Sequence, residues 1–507
     1  MREKKTDPEL PILLPFQPGP ASNGEFVPLD PTRAHRRMAA LALERAEEIA
    51  RRRRIDRRRF LAGLGGLAVT LGAVNLVSCD SDDGERPGGT FAVPTDPADD
   101  EAVCAMLDGQ EFIFDVQTHH ITPEGPWRET NPGFEAFLQI VPDCGANDRV
   151  ECASRYYYLK DIFLDSDTTM AVLSDTPAPT DETDPLTFDE MRRTRDIIEM
   201  LSAGGATRLL LHSIVVPNVG RLEEQLDLMQ ARAETMDVAA WKVYTPYGGT
   251  TGRGWFLDDE EFGIPLIERA RETGVKTICA HKGLPLRGFD PSYSSPRDIG
   301  VVARAYPDVN FVVYHSGWFP NSLGGGAEGS YDPNDAERGV NSLIKSLQDN
   351  GIAPNRNVYA ELGTTWRGVM SDPTQAAHVL GKLLTYVGED RVIWGTDCIW
   401  YGAPQPQIVA FRAFQIDPEL AQEHGYPELT PQVKAKVFGL NAARLYGIEP
   451  EAQRCAFGEN DIERFRGVYR DADLGSHELR WAPRAPISRR EVFRWFLARG
   501  GSWSPWR

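Results

Sequence analysis

Four short apolar runs in this chain each close on a metal-ligand residue: 112–119 on His119, 276–281 on His281, 310–315 on His315 and 391–397 on Asp397. Side chains alternate along a strand, so each closing residue has a defined face. Helix-length stretches lie between the runs, which makes the strands parallel and gathers their last residues at one end of the sheet. Further runs rich in β-branched residues, 168–174, 208–216, 238–245 and 358–362, extend the same strand–helix alternation. Eight such units predict closure into a (β/α)8 TIM barrel, where the C-terminal ends of the strands carry the active site. An open dinucleotide-binding sheet needs a Gly-rich turn after its first strand, and this chain has Thr118-His-His-Ile121 there. The run from Gly324 to Gly329 fits no phosphate-cradle spacing and reads as a flexible loop. Two long loops at the site end, 122–154 and 317–335, are candidate lids.

With 507 residues there is chain for one large barrel and extensions at both ends. A formal charge of −19 argues against nucleic acid and leaves a small-molecule substrate as the expected partner. The first 78 residues are different: they hold 14 of the 55 Lys and Arg but only 9 of the 74 Asp and Glu. Residues 11–31, rich in Pro, Gly and Asn, are predicted to be disordered, and 39–54 to form an amphipathic helix. Arg57-Arg-Arg-Phe-Leu61 followed by a weakly apolar, Gly-rich stretch resembles a twin-arginine signal, and Leu76-Val-Ser-Cys79 resembles a lipobox. That resemblance implies export, removal of residues 1–78, and a membrane anchor through lipid on Cys79, with the protein facing the periplasm or cell exterior. The predicted order is then an acidic tether over 79–110, the barrel over 111–448 and a C-terminal extension over 449–507, whose stretch 487–497 reads as an amphipathic helix, a cap on the barrel in preference to an oligomer contact or a membrane-surface element. Cys144 and Cys152 have a spacing a disulfide can close. Cys279 and Cys398 read as packed thiols, with no histidine placed to activate them.

Asp115, Gln117 and His119 share one predicted strand face, and His120 points toward the helices. His119, His281 and Asp397 can converge on a divalent cation, with Gln117 beside them. Zn²⁺ is the default for mixed imidazole and carboxylate ligation. His315 is placed to bind a developing oxyanion or to shuttle protons, and Asp397 to take a proton from water. His212 reads as structural, and His378 and His424 as exposed.

At these residues the chain resembles the amidohydrolase superfamily, in the amidohydrolase-2 branch of metal-dependent hydrolases and aminocarboxymuconate semialdehyde decarboxylase-like enzymes. The resemblance spans about 111–448 and includes the family's closing helix pattern at 436–448. The family's first strand reads Asp-x-His-x-His with both histidines on the metal. Here it reads Asp115-Val-Gln117-Thr-His119, which puts a neutral amide in the first position. Residue by residue, the resemblance implies His119, His281 and Asp397 as ligands and His315 as the catalytic histidine. Lys242 falls on the strand where binuclear members carry a carboxylated lysine. One metal is usual in this branch, so Lys242 reads as a substrate-side or structural cation. The implied activity is hydrolysis of an ester, amide or lactone carbonyl by metal-activated water. The alternative is metal-dependent non-oxidative decarboxylation, with Lys242, Lys282 and Arg287 gripping a carboxylate. A non-catalytic barrel lipoprotein is a third reading, motivated by Gln117.

Overall fold

The computed structural model describes residues 14–24, 26, 28–79, 86–138, 141, 144, 146–202, 206–249, 251–284, 289–321, 324–457 and 460–471. Every predicted barrel run contains a strand: β1 (Phe114–Thr118), β2 (Met170–Leu173), β3 (Leu209–Ile214), β4 (Val238–Tyr244), β5 (Thr277–His281), β6 (Asn310–Tyr314), β7 (Val358–Glu361) and β8 (Val392–Ile393). They form one parallel sheet in chain order. The first and last strands meet through backbone hydrogen bonds: Val116 N–H to the Trp394 carbonyl (3.0 Å), Asp397 N–H to Gln117 (2.9 Å) and His119 N–H to Cys398 (2.7 Å). One strand face, with Ala171, Leu211, Val243, Ile278 and Val313, packs in the large core shared with the helices. The other, with Phe114, Val172, Ala240, Cys279 and Tyr314, fills the barrel interior.

One predicted face is corrected. The register of β1 shifts between Asp115 and Thr118, so Phe114 and Val116 point into the interior below the site and Asp115 does not share the face of Gln117 and His119. Asp115 lies at the closing seam, where its carboxylate accepts from the N–H groups of Gln117 (3.2 Å) and Thr396 (3.1 Å) and from the Thr396 hydroxyl.

The N-terminal region is also not as predicted. Within 11–31, Leu14, Phe16, Ser22 and Asn23 are buried, and Phe16, Ala21 and Phe26 belong to the main core. Composition pointed to disorder, but these separate apolar anchors dock the segment. Three helices follow: α1 (Arg33–Arg53), α2 (Arg57–Leu61) and α3 (Leu64–Cys79). Thr32 caps α1, accepting from His35 N–H (3.2 Å). Leu67, Leu71 and Val74 of α3 are fully buried in the main core, as expected of a helix apolar on all sides. The predicted acidic tether is largely folded. Gly89–Phe91 pairs antiparallel with Phe414–Ile416, and Asp100–Leu107 is a helix with Val103 and Leu107 buried. Its acids find the basic run, with Arg52 paired to Asp96 (2.7 Å) and Arg53 to Asp100. Among the described residues no helix is long and apolar enough to cross a membrane.

Cys144 and Cys152 are bonded, with Cα atoms 5.5 Å apart. After the barrel, Pro450–Phe457 and Asp461–Asp471 are helices, the first docked by Arg208 over the Phe457 ring at 3.7 Å. The predicted helix at 487–497 lies outside the described residues.

If α3 is an integral part of the packed core, Leu71→Ala in the full chain lowers unfolding stability by about 2–5 kcal/mol. Chemical denaturation checks this, and an unchanged midpoint would show that α3 is undocked in solution.

Candidate functional site

The strand ends place His119, His281, His315, Asp397 and Gln117 together, all buried. Each imidazole spends one nitrogen on a backbone carbonyl: His119 Nδ1 on Ser174 (2.8 Å), His281 Nε2 on Leu284 (2.7 Å) and His315 Nδ1 on Gly363 (2.8 Å). A carbonyl only accepts, so those nitrogens carry the protons and the opposite ones aim lone pairs inward. His281 Nδ1 and His315 Nε2 face each other at 3.2 Å. His119 Nε2 faces Asp397 Oδ1 at 3.2 Å. Burial pushes His315 down to about 4 and His281 well below its ordinary value, so both rings are neutral near pH 7. Burial works against ionised Asp397, but His119 at 3.2 Å, His315 and the Thr364 hydroxyl outweigh it and hold the acid below its ordinary value.

Facing acceptors at this range repel unless a proton or a cation lies between them, and the donor set of three imidazoles and a carboxylate suits a divalent transition metal. The side chains are held as two pairs. Among the described residues no three His, Cys, Asp or Glu side chains already stand at ion-holding geometry. The Gln117 amide fills the gap: Nε2 donates to Asp397 Oδ1 (3.0 Å) and lies 3.5 Å from His315 Nε2. Its Oε1 is buried without a hydrogen-bond partner among the described residues. Turning the amide end over exchanges these atoms and brings an acceptor oxygen to the four lone-pair donors. The residues present therefore fit a cation.

Backbone geometry supports the cluster. His315, Ser316, Thr364 and Asp397 all have positive φ, between 52° and 61°, in a region that costs a non-glycine residue about 1–3 kcal/mol and recurs at functional sites. Glu361, at the end of β7, accepts the His315 N–H (2.9 Å) and that of Gly363. A Cβ at Gly363 would meet Gln117 Oε1, and one at Gly395 would meet Glu361 Oε1, so a side chain at either position would displace the Gln117 amide or the Glu361 carboxylate. Trp400 stacks on His119 (5.5 Å between ring centres) and Tyr244 on His281 (5.0 Å). Trp400 belongs to a core cluster with Trp127, Leu138 and Cys152, which seats the disulfide-closed loop against the His119 side.

Other predicted residues divide. Lys242 is buried with its ammonium over the Tyr314 ring at 3.2 Å, level in register with Cys279 and two pairs below His281. Lys282 is bound to Asp298 at 2.8 Å, both fully buried, so it is no substrate grip. Arg287 lies outside the described residues. His120 does point to the helices, with Nε2 at 2.9 Å from Thr194, and His212 is satisfied by Ser174 and Tyr446. His378, predicted exposed, is buried against Tyr426 at 3.0 Å. Cys279 does have a histidine beside it, His212 at 3.7 Å, but burial pushes the thiol up to about 12 and removes it as a nucleophile. Three residues of the site were not predicted: Glu361, Thr364 and Asn23. The Thr364 hydroxyl donates to Asp397 Oδ2 (2.6 Å), and the Asn23 amide donates to the same oxygen (2.7 Å). Glu361 ends a strand as the predicted ligands do and could have been found that way; nothing marks Asn23 in the sequence.

Residues 211–448, from β3 to the closing helices, match the Amidohydro_2 (amidohydrolase) family model. No curated protein matches the chain. Among solved structures, an uncharacterised TIM-barrel protein from Bordetella bronchiseptica shares 15% identity over 67% of this chain and 98% of its own, with a TM-score of 0.42. A 5-carboxyvanillate decarboxylase from Novosphingobium aromaticivorans, complexed with manganese, shares 15% over 67% and 96%, TM-score 0.39. An amidohydrolase from Burkholderia multivorans with bound zinc shares 14% over 67% and 100%, TM-score 0.39.

Burial drives His120 from 6.5 to about 3. A base with a depressed folded value stabilises fully above its unfolded value, and that stability is lost as pH falls from about 6.5 toward 3. His120→Gln should flatten the loss of unfolding free energy between pH 6.5 and 4.5 by up to about 1.4 kcal/mol per pH unit. Urea titrations at stepped pH measure this, and parallel wild-type and variant slopes would refute it.

Proposed function

We propose that this protein is a metal-dependent amidohydrolase-type enzyme that hydrolyses an ester, amide or lactone carbonyl of a small molecule. The observation that carries this reading is the set of inward lone pairs on His119, His281 and His315 beside Asp397, each ring locked by a backbone carbonyl. His119, His281 and Asp397 would hold the ion, with Gln117 through its amide oxygen, and zinc is the first candidate. When bound, the ion supplies a Lewis acid that polarises a carbonyl and acidifies a water molecule. The chain supplies proton acceptors. Asp397 Oδ1 takes a proton from the attacking water, and His315 accepts at Nε2 because its Nδ1–H is committed to Gly363. That commitment revises the predicted role of His315, since a neutral ring bonded this way cannot donate to an oxyanion. Trp400 and Tyr244 keep bulk water off the imidazole faces.

Decarboxylation is the second reading, and one observation favours it. Arg367 is buried with no acidic partner among the described residues, and its Nη1 lacks a hydrogen bond there. It lies 6.0 Å from the Tyr401 ring, whose hydroxyl donates to Thr364 beside Asp397. Such a guanidinium suits a substrate carboxylate. Against it, Lys282 is already paired and Lys242 lies below the histidines.

Purified protein should bind about one equivalent of Zn²⁺ or Mn²⁺. His281→Ala should lower metal affinity and turnover by more than ~100-fold, beyond the loss typical of a residue that only supports a ligand. Metal analysis and a panel of esters, lactones and aromatic acids check this. Full turnover in His281→Ala would sink both enzymatic readings, and CO₂ release would transfer the assignment to the second.

We also infer twin-arginine export with acylation of Cys79. Support comes from the order of Arg57–Leu61, the apolar α3 and the exposed Cys79 at its end, and from the Cys144–Cys152 bond, which suits an oxidising compartment. Mass spectrometry of membrane-fraction protein should find lipid-modified Cys79 at the N-terminus; an intact Met1 there would overturn it.

A further inference from the structure

Asp397 ends β8 with two oxygens that do different work. Oδ1 faces His119 Nε2 and the Gln117 amide. Oδ2 faces away from the imidazoles and is taken by two donors, Thr364 Oγ1 at 2.6 Å and Asn23 Nδ2 at 2.7 Å. The Asn23 amide also lies 3.3 Å from Thr364 Oγ1, so Asn23, Thr364 and Asp397 form a closed triangle. Asn23 is about 1% exposed and sits on the N-terminal segment, outside the barrel and outside the matched family region. That segment is anchored at several points. Phe16 and Phe26 enter the main core, the Gln17 carbonyl accepts from Arg367 at 3.3 Å, and Ser22 Oγ donates to the Phe26 carbonyl at 2.5 Å, closing the turn that presents Asn23.

We propose that Asn23 is a positioning residue of the metal centre, and that the N-terminal segment is a working wall of the site. With Oδ2 occupied by two donors, the carboxylate cannot rotate to present both oxygens inward, and Oδ1 stays aimed at His119 and the ion. Groups that orient a ligating carboxylate in this way are worth about 10–100-fold in metal affinity. The proposal rests on the metal reading above. It also has a consequence for processing, because cleavage ahead of Cys79 removes Asn23. The full chain is then the form that binds metal tightly, and loading precedes removal of the segment.

The test uses the full chain and measures Zn²⁺ dissociation constants by competition with a chromogenic chelator, alongside melting of the metal-free protein. Asn23→Ala should weaken Zn²⁺ binding about 10–100-fold while the metal-free melting temperature stays within a few degrees of wild type. Asn23→Leu, which keeps the heavy-atom branching but has no donor, should weaken binding equally and guards against a loss caused by loosened packing. Unchanged affinity in both variants refutes the positioning role. Tighter binding also refutes it, by showing that the segment obstructs the centre. A wild-type chain that binds neither Zn²⁺ nor Mn²⁺ removes the metal reading, and this inference with it.

Discussion

The site depends on where three backbone carbonyls sit. Ser174, Leu284 and Gly363 each take the N–H of one imidazole, so the protonated side of every ring is turned outward and the lone pair inward. Burial then keeps the rings of His281 and His315 neutral, since charging an imidazole in a dry interior costs more than this arrangement returns. The result is a concentration of acceptors that the protein itself satisfies only partly, through one amide of Gln117. A cluster built this way gains most from a cation.

Holding it requires backbone that few residues adopt willingly. His315, Ser316, Thr364 and Asp397 are all left-handed, and their cost is offset locally. The Glu361 carboxylate accepts the His315 N–H, the Thr365 hydroxyl donates to the His315 carbonyl, and the Asp397 N–H joins the closing seam at Gln117. Glycines at 363 and 395 leave the space into which Gln117 and Glu361 fold. The strained turns are therefore the points where β6, β7 and β8 are tied to one another and, at Asp397, to β1, so these contacts hold both the fold and the geometry of the site.

Most of the barrel was legible because a strand buried on both faces leaves an unmistakable apolar run, and each of those runs holds a strand here. His119 and His120 were correctly sorted by alternation alone. Alternation failed at Asp115, where the register shift reverses the faces within two residues. Pairing across strands was invisible as well. His212 and Cys279 lie on neighbouring parts of the interior although 67 residues apart in sequence, so the thiol looked unaccompanied. The N-terminus misled more deeply. A Pro- and Gly-rich stretch has no periodicity to read, and its docking depends on isolated residues such as Phe16 and Phe26 finding pockets that exist only once the barrel has closed.

Residues 1–78 thus carry two kinds of information. By order of motifs they resemble an address, and by packing they are part of the molecule, with α3 in the main core and Asn23 on Asp397. These uses conflict if the segment must be unfolded to be recognised, and they agree if the chain is exported folded, as the twin-arginine resemblance implies. A folded precursor can keep α3 docked and the site at Asp397 closed until the segment is released. The cost of release is then set by the apolar surface of α3 and by the hydrogen bonds at Asp397, both lost together. Docking of the N-terminal segment and order at the proposed metal site are in this way coupled through one oxygen of one carboxylate.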